Sequence, residues 1–139
     1  MGLIYAEQIE HMSVDQMQET HESEIKLLNE VGKLATKYEM KRIELSELEP
    51  KLNQYIAHVK KHFASEEELM LKYNFPSYEM HKSAHDMFLL DLDSAVKEWK
   101  NHGSMKKILH FIQKTPEWII IHVNTVDAPT SDYLAKKMQ

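Results

Sequence analysis

The sequence contains no cysteine among its 139 residues. A chain without thiols forms no disulfide, iron–sulfur cluster or thiolate zinc site, and it offers no cysteine nucleophile. Any metal site would therefore be built from the nitrogen atoms of histidine and the oxygen atoms of carboxylates.

Glycine and proline are also scarce, with three and four residues respectively. An all-β protein needs many turns, which these residues usually supply, so their scarcity argues against that class. Strong helix formers such as leucine, lysine, glutamate, methionine and alanine are abundant. At this length we expect a single all-α domain that spans residues 1–139.

Clusters of basic residues and long apolar runs are both missing. The formal net charge is −5 with both signs interspersed, so we expect no nucleic-acid partner. No apolar run approaches the roughly 18 residues of a membrane span, and the N-terminal segment lacks the apolar stretch of a signal peptide. We therefore expect a cytoplasmic protein with no membrane partner.

Apolar periodicity predicts four long helices, in which the inward residues recur at spacings of three and four. The inward set of the first helix is Val14, Met17, His21, Glu24, Leu28, Val31, Ala35 and Tyr38. The set of the second is Leu52, Tyr55, Val59, His62, Glu66, Leu69 and Tyr73. The third contains His81, His85, Phe88, Leu92, Val96 and Trp99, and the fourth contains Ile108, Phe111, Ile112, Trp118, Ile119, His122 and Val126.

Local signals predict where these helices begin and end. The second helix begins near Ser46, where the sequence SELE suits a capping box, and it ends before the Asn74-Phe75-Pro76 segment. Ser77 and Ser104 are candidate N-caps of the third and fourth helices, and Gly103 suits the C-terminal end of the third.

The Thr115-Pro116-Glu117 segment interrupts the fourth pattern. Because Pro116 cannot donate to the carbonyl of Ile112, it predicts either a kink or a new start with Thr115 as the N-cap. Short connections make neighbouring helices antiparallel, so we expect an up-down-up-down four-helix bundle. Residues 1–12 are expected to form a non-helical arm on this bundle.

Five of the nine histidines and two acids lie at or beside inward positions: His21, His62, Glu66, His81, His85, His122 and Asp127. A single inward histidine is usually a hydrogen-bonded core residue. A small core cannot satisfy seven buried polar groups without a metal. Imidazoles and carboxylates suit iron, manganese or zinc, and the carboxylates could bridge two ions.

The sequence resembles the hemerythrin family over nearly its whole length. The resemblance rests on HFASEEELM, on HKSAH followed by Phe88, and on WIIIH followed by Asp127. It implies a non-haem di-iron centre in a four-helix bundle that binds O2 reversibly. It also implies an assignment of ligands to the two irons: His81, His85 and His122 hold one, His21 and His62 hold the other, and Glu66, Asp127 and an oxo or hydroxo group bridge them.

The resemblance further implies that the second iron has an open coordination position for O2. Trp118, Ile119 and Val123 match positions that line the family's O2 pocket, although helix packing alone would also explain them. Two departures from the family pattern are Pro116 and the sequence MQETH, which leads into the His21 ligand without the usual Asp and Gln.

Glu24 is an unusual residue for the centre of an apolar helix face, where family members usually have an apolar side chain. Antiparallel packing puts it at the level of Trp118 and Ile119, where O2 would bind. We hypothesise that Glu24 ligates the open position, or lies beside it and pairs with His58. Either arrangement predicts a short-lived O2 adduct that Glu24→Leu would prolong.

Three functions remain open. The first is O2 storage, delivery or sensing at the di-iron centre. The second is a di-iron enzyme that acts on peroxide, O2 or nitric oxide, with Glu24 as an extra ligand or proton donor. The third is a structural or zinc-binding bundle, for which bridging acids would be superfluous because one tetrahedral zinc does not need them.

Overall fold

The computed structural model describes residues 3–139, so the first two residues of the expected arm lie outside the described part. The described residues form five α-helices: α1 (Asp15–Glu39), α2 (Leu45–Lys72), α3 (Tyr78–His102), α4 (Lys106–His122) and α5 (Ala128–Lys137). A short π-helical turn, Val123–Asp127, joins α4 to α5. No strand occurs among residues 3–139.

The four long helices pack as a bundle in which α1 contacts α2 and α4, and α3 contacts α2 and α4. The connections cover residues 40–44, 73–77 and 103–105, and such short links make consecutive helices antiparallel. The prediction of an all-α, up-down-up-down four-helix bundle is confirmed. The predicted inward residues are buried or half-buried along each helix.

Each connection contains one residue in the left-handed conformation: Lys41 (φ 60°), Asn74 (φ 54°) and Gly103 (φ 70°). At the end of α1, Arg42 donates from its backbone to the carbonyl of Lys37 over 2.9 Å. At the end of α2, Phe75 donates to Met70 over the same distance. Left-handed residues therefore reverse the chain and satisfy carbonyls that the helix ends leave free.

The predicted starts of α2 and α4 were wrong by two residues or fewer. α2 begins at Leu45 with Glu44 at the N-cap, because Glu47 accepts a hydrogen bond from the Glu44 backbone over 3.2 Å. α4 begins at Lys106 with Met105, not Ser104, at the N-cap. Ser77 does precede α3, but its side chain makes no capping hydrogen bond.

The fourth helix does not restart at Pro116, so the second of the two expected alternatives, a new start with Thr115 as the N-cap, is wrong. α4 continues through Pro116 to His122, and the Thr115 hydroxyl donates to the carbonyl of Phe111 over 2.7 Å instead of capping a new helix. A separate irregularity, the π-helical turn, begins at Val123, seven residues after Pro116.

The N-terminal arm contains one 3-10 turn, Ala6–Gln8, and otherwise lies extended along the bundle. The Asn29 side chain accepts hydrogen bonds from the backbones of Leu3 (2.7 Å) and Ile4 (3.1 Å). Leu3 packs over Gly32, where a larger residue would meet its side chain. Within residues 3–139, no helix combines the length and the apolar character needed to cross a membrane.

Candidate metal centre

The bundle brings all seven sequence-predicted ligand residues to one place in its core. α1 contributes His21, α2 contributes His62 and Glu66, and α3 contributes His81 and His85; His122 ends α4 and Asp127 ends the π-helical turn. All seven side chains belong to buried residues. They form two overlapping groups whose ligand atoms lie within 4.8 Å of one another: one contains Glu66, His81, His85, His122 and Asp127, and the other contains His21, His62, Glu66 and Asp127.

Helix geometry explains most of this convergence. His62 and Glu66 are one turn apart, and the His62 Nε2 atom lies 2.6 Å from the Glu66 Oε2 atom. His81 and His85 are also one turn apart, with ring centroids separated by 4.5 Å. Both pairs therefore project from their helices towards the bundle axis.

The π-helical turn explains why His122 and Asp127 meet. At about 100° per residue, five residues of α-helix would rotate the two side chains about 140° apart. A π-helical turn is wider because its hydrogen bonds join residues i and i+5. It accommodates the extra residue, and the His122 Nε2 atom lies 3.0 Å from the Asp127 Oδ1 atom.

Glu66 and Asp127 each present one oxygen to each group. Glu66 Oε2 lies 2.6 Å from the His62 Nε2 atom, while Oε1 lies 3.2 Å from the His85 Nε2 atom. Asp127 Oδ2 lies 3.0 Å from the His21 Nε2 atom, while Oδ1 lies 2.9 Å from the His81 Nε2 atom. Both carboxylates could therefore bridge two metal ions.

Five atoms at this centre are buried without a hydrogen-bond partner: the Nε2 atoms of His81, His85 and His122, Glu66 Oε1 and Asp127 Oδ1. Each of these atoms belongs to a different residue of the first group. The nitrogen and oxygen atoms lie close together, but their angles do not suit hydrogen bonds. Burying unpaired polar atoms is costly, and a metal ion would satisfy all five at once. The donor set, nitrogen and oxygen without sulfur, fits iron.

Three of the five histidine rings also have a polar contact at Nδ1, the ring nitrogen that faces away from the centre. His62 contacts Glu24 Oε1 over 2.9 Å, His85 contacts Glu67 Oε2 over 3.0 Å, and His81 contacts the Thr130 hydroxyl over 2.8 Å. Sequence reasoning missed Glu67 and Thr130. Glu67 is in the SEEE run, which is typical of a solvated helix face. Thr130 is uncharged, so nothing in the sequence distinguishes it as a partner of a histidine ring.

Glu24 is buried, but it lies on the side of His62 that faces away from Glu66, and neither ligand group includes it. Its Oε1 atom is 3.7 Å from the His58 Nδ1 atom, which is too far for a hydrogen bond and close enough for electrostatic attraction. Glu24 thus contacts a predicted ligand residue, and the expected pairing with His58 is the weaker of its two contacts.

Electrostatic coupling shifts the pKa values of these groups. Burial lowers the pKa of His21 and His81, but contact with Asp127 and Glu66 outweighs this effect and raises each to about 9. Burial raises the pKa of Glu24, but the charge of His62 and the neighbouring His58 ring lower it to about 2. The raised pKa values of His21 and His81 show how strongly the two buried carboxylates attract positive charge to this place in the core.

Aromatic rings pack against two of the predicted ligand rings. Phe63 stacks on His85 with centroids 3.9 Å apart, and Trp118 stacks on His122 with centroids 4.3 Å apart. Ile119 and Val123 are buried nearby, on the same stretch of chain as Trp118. Sequence reasoning identified Trp118, Ile119 and Val123 but missed Phe63, which follows His62 directly in the chain.

Comparisons with known proteins identify the family of the chain. The sequence model of the hemerythrin HHE cation binding domain matches residues 12–127. The chain is 27% identical to a bacteriohemerythrin of Aquifex aeolicus over 85% of this chain and 87% of that protein. It is 31% identical to a bacteriohemerythrin of Ralstonia nicotianae over 62% of each chain.

A shorter match, to hemerythrin subunit 1 of Golfingia vulgaris, is 31% identical over 48% of this chain and 47% of that protein. No solved structure matches the chain. The family match covers the predicted ligand residues from His21 to Asp127. The chain therefore belongs to the hemerythrin family, whose members bind O2 at a centre of two iron ions.

Proposed function

We propose that this protein binds O2 at a di-iron centre held by the five histidines and two carboxylates of the bundle core. His81, His85 and His122 would hold one iron, and His21 and His62 would hold the other. Glu66 and Asp127 would bridge the two ions, because each carboxylate turns one oxygen to each ligand group. The iron pair would supply a coordination position and the electrons for O2 binding.

The observation that carries this proposal is the set of five buried atoms without hydrogen-bond partners. A core histidine of ordinary structural type finds a partner for a buried ring nitrogen. Here three histidines from two helices aim such a nitrogen at the same point as two carboxylate oxygens. Protein groups alone leave these atoms unsatisfied, whereas a cation would satisfy them.

The surrounding residues would keep water from the centre. Trp118 covers one face of His122, and Phe63 covers one face of His85. Ile119 and Val123 add buried apolar surface. Exclusion of water disfavours the release of a charged oxygen species. Bound O2 would therefore dissociate as O2.

Anaerobic loading with ferrous iron followed by exposure to O2 tests this function. We expect about two irons per chain and an absorption change on O2 addition that argon flushing reverses. One metal ion per chain, with no absorption change on O2 addition, would contradict the proposal. The structural zinc alternative predicts that outcome, because one zinc needs only four ligands.

A di-iron enzyme that acts on peroxide, O2 or nitric oxide is the second candidate, and Glu24 is the observation that favours it. A buried carboxylate at 2.9 Å from the His62 ring is a polar group close to the proposed second iron. The contact with His62 favours an indirect role for Glu24 over direct ligation. Stopped-flow mixing separates the candidates, because an enzyme would consume successive additions of peroxide or nitric oxide whereas a carrier would saturate.

Storage, delivery and sensing of O2 are the three roles that fit this proposal, and we propose the cytoplasmic location expected from the sequence. O2 affinity and its change with cellular partners would separate the three. A storage protein is expected to saturate at low O2 pressure, while a sensor is expected to change its surface or its association on O2 binding.

A further inference from the structure

Glu24 is a charged residue in the middle of the apolar face of α1, with Met17 and Leu28 buried along the same helix. Its closest polar contact is the Nδ1 atom of His62, at 2.9 Å. An isolated carboxylate in this environment would be destabilising, so its contact with His62 accounts for its burial. Tyr55 on α2 is also buried, and its hydroxyl has no hydrogen-bond partner, so it does not satisfy Glu24.

The contact is informative because a neutral imidazole carries only one proton. A histidine that binds a metal through Nε2 must keep its proton on Nδ1. His62 directs Nε2 to Glu66 and the centre, and it directs Nδ1 to Glu24. Glu24 therefore accepts a hydrogen bond from the nitrogen that must stay protonated when His62 holds a metal.

We propose that Glu24 is the positioning residue for His62: it fixes the Nδ1–H form of the ring and thereby strengthens metal binding through Nε2. This inference rests on the proposed assignment of His62 to the second iron. The first group has a counterpart, because Glu67 makes the same kind of contact with His85. His21 has no such partner, since its Nδ1 atom is buried without a hydrogen bond.

The inference assigns Glu24 a role different from direct ligation of iron. An extra ligand would compete with O2, so its removal would leave both irons in place and prolong the O2 adduct. A positioning residue instead holds the ligand histidine through a hydrogen bond to the ring nitrogen that faces away from the metal. Its removal weakens metal binding on the side of His21 and His62.

The test uses the full-length protein loaded with Zn²⁺, a diamagnetic probe of the same ligands. Glu24→Leu removes the acceptor, while Glu24→Gln keeps a carbonyl oxygen that can accept from Nδ1–H. Leu28→Ala, one turn further along α1, controls for loss of packing without loss of the contact. Glu67→Leu is the matched variant for the first group.

Metal titration and ¹⁵N NMR of the histidine rings are the two measurements. For Glu24→Leu we expect the weaker of two Zn²⁺ equivalents to lose about 10–100-fold in affinity. In molecules of this variant that lack the second Zn²⁺, the His62 ring signals should lose the pattern of a single Nδ1–H tautomer. Glu24→Gln should restore both. Leu28→Ala should lower the melting temperature while the tautomer signal stays.

Two results would overturn the inference. One is a wild-type protein with two Zn²⁺ equivalents whose affinities Glu24→Leu leaves unchanged. The other is a His62 tautomer signal that Glu67→Leu removes and Glu24→Leu does not. A wild type that binds fewer than two equivalents would instead show that the proposed two-metal centre is wrong, which separates the two failures.

Discussion

At the scale of single residues, the contacts of the two nitrogen atoms of each imidazole ring determine how firmly the ring is placed for metal binding. His85 directs Nε2 to Glu66 and Nδ1 to Glu67, while Phe63 covers its face. A ring held on three sides has little rotational freedom left to lose when it binds a metal. Such preorganisation favours tight and specific binding over binding that must first order the site.

His85→Ala should remove one of the two irons and destabilise the protein. The change removes the hydrogen bond between His85 and Glu67 and opens a cavity beside Phe63, so we expect a loss of about 2–4 kcal/mol in the free energy of unfolding. Iron content and chemical denaturation of the loaded protein measure these effects. His110→Ala, at an exposed position, is the control. Two irons per chain and unchanged stability in His85→Ala would contradict the ligand assignment.

At the scale of elements, the π-helical turn is the feature that completes the centre. It lies between α4 and α5, and it lets His122 and Asp127 point the same way despite a separation of five residues. π-Helical turns are rare and often occur at functional sites, because the backbone gives up favourable α-helical hydrogen bonds. Here the proposed metal binding would offset that loss.

Deletion of Thr125 should convert the π-helical turn into α-helix and damage the centre. Thr125 is exposed, so its own side chain packs little. Without it, Asp127 would follow His122 by four residues and the helix beyond would rotate by about 100°. We expect less than about half of the wild-type iron content with helix content retained by circular dichroism. Thr125→Ala, which keeps the chain length, should keep both irons; equal iron content in the deletion variant would show that the turn is dispensable.

Pro116→Ala tests the continuity of α4. A proline in a helix interior costs about 3 kcal/mol, because it cannot donate to the preceding turn and its ring crowds a carbonyl. Pro116 is buried, so alanine gains the hydrogen bond to Ile112 but loses ring packing. We expect a net gain of about 1 kcal/mol by chemical denaturation.

Pro50→Ala is the comparison for Pro116, since Pro50 lies inside α2 but is exposed. Its replacement should gain more, about 1–3 kcal/mol, because no packing is lost. Destabilisation by several kcal/mol at Pro116 alone would mean that the ring packing of Pro116 matters more than the backbone hydrogen bond.

At the scale of the whole molecule, periodicity was sufficient to predict the bundle and to bring the centre together. The inward positions of His21, His62, His81 and His85 follow from helical spacing alone, because backbone geometry fixes the face on which a side chain lies. Helix starts were harder, since Glu44 caps α2 although Ser46 is the better capping type. Local preference is weak there, and the tertiary packing of neighbouring residues decides.

Two features could not be derived from the sequence. The π-helical turn differs from α-helix by one residue per turn, and no residue in VNTVD marks that change. The direction of Glu24 depends on its rotamer, which periodicity does not specify: the face was predicted, but the contact with His62 behind the ring was not. Both features depend on contacts between helices, whereas periodicity describes one helix at a time.

Metal removal should separate the stability of the bundle from that of its centre. Apolar residues such as Leu28, Leu52, Leu92 and Ile108 are fully buried, one on each of the four long helices, so we expect the metal-free protein to keep its helix content. It should nevertheless unfold more readily, because five buried atoms would lose the cation that satisfies them.

Each site would stabilise the folded state by about 2.7 kcal/mol when free metal is at 100 times its dissociation constant. Thermal unfolding at increasing free metal concentration measures this effect, with the melting temperature expected to rise continuously, and a smaller rise is expected in His85→Ala. A melting temperature that does not depend on metal would mean that the buried cluster is satisfied by protein groups alone.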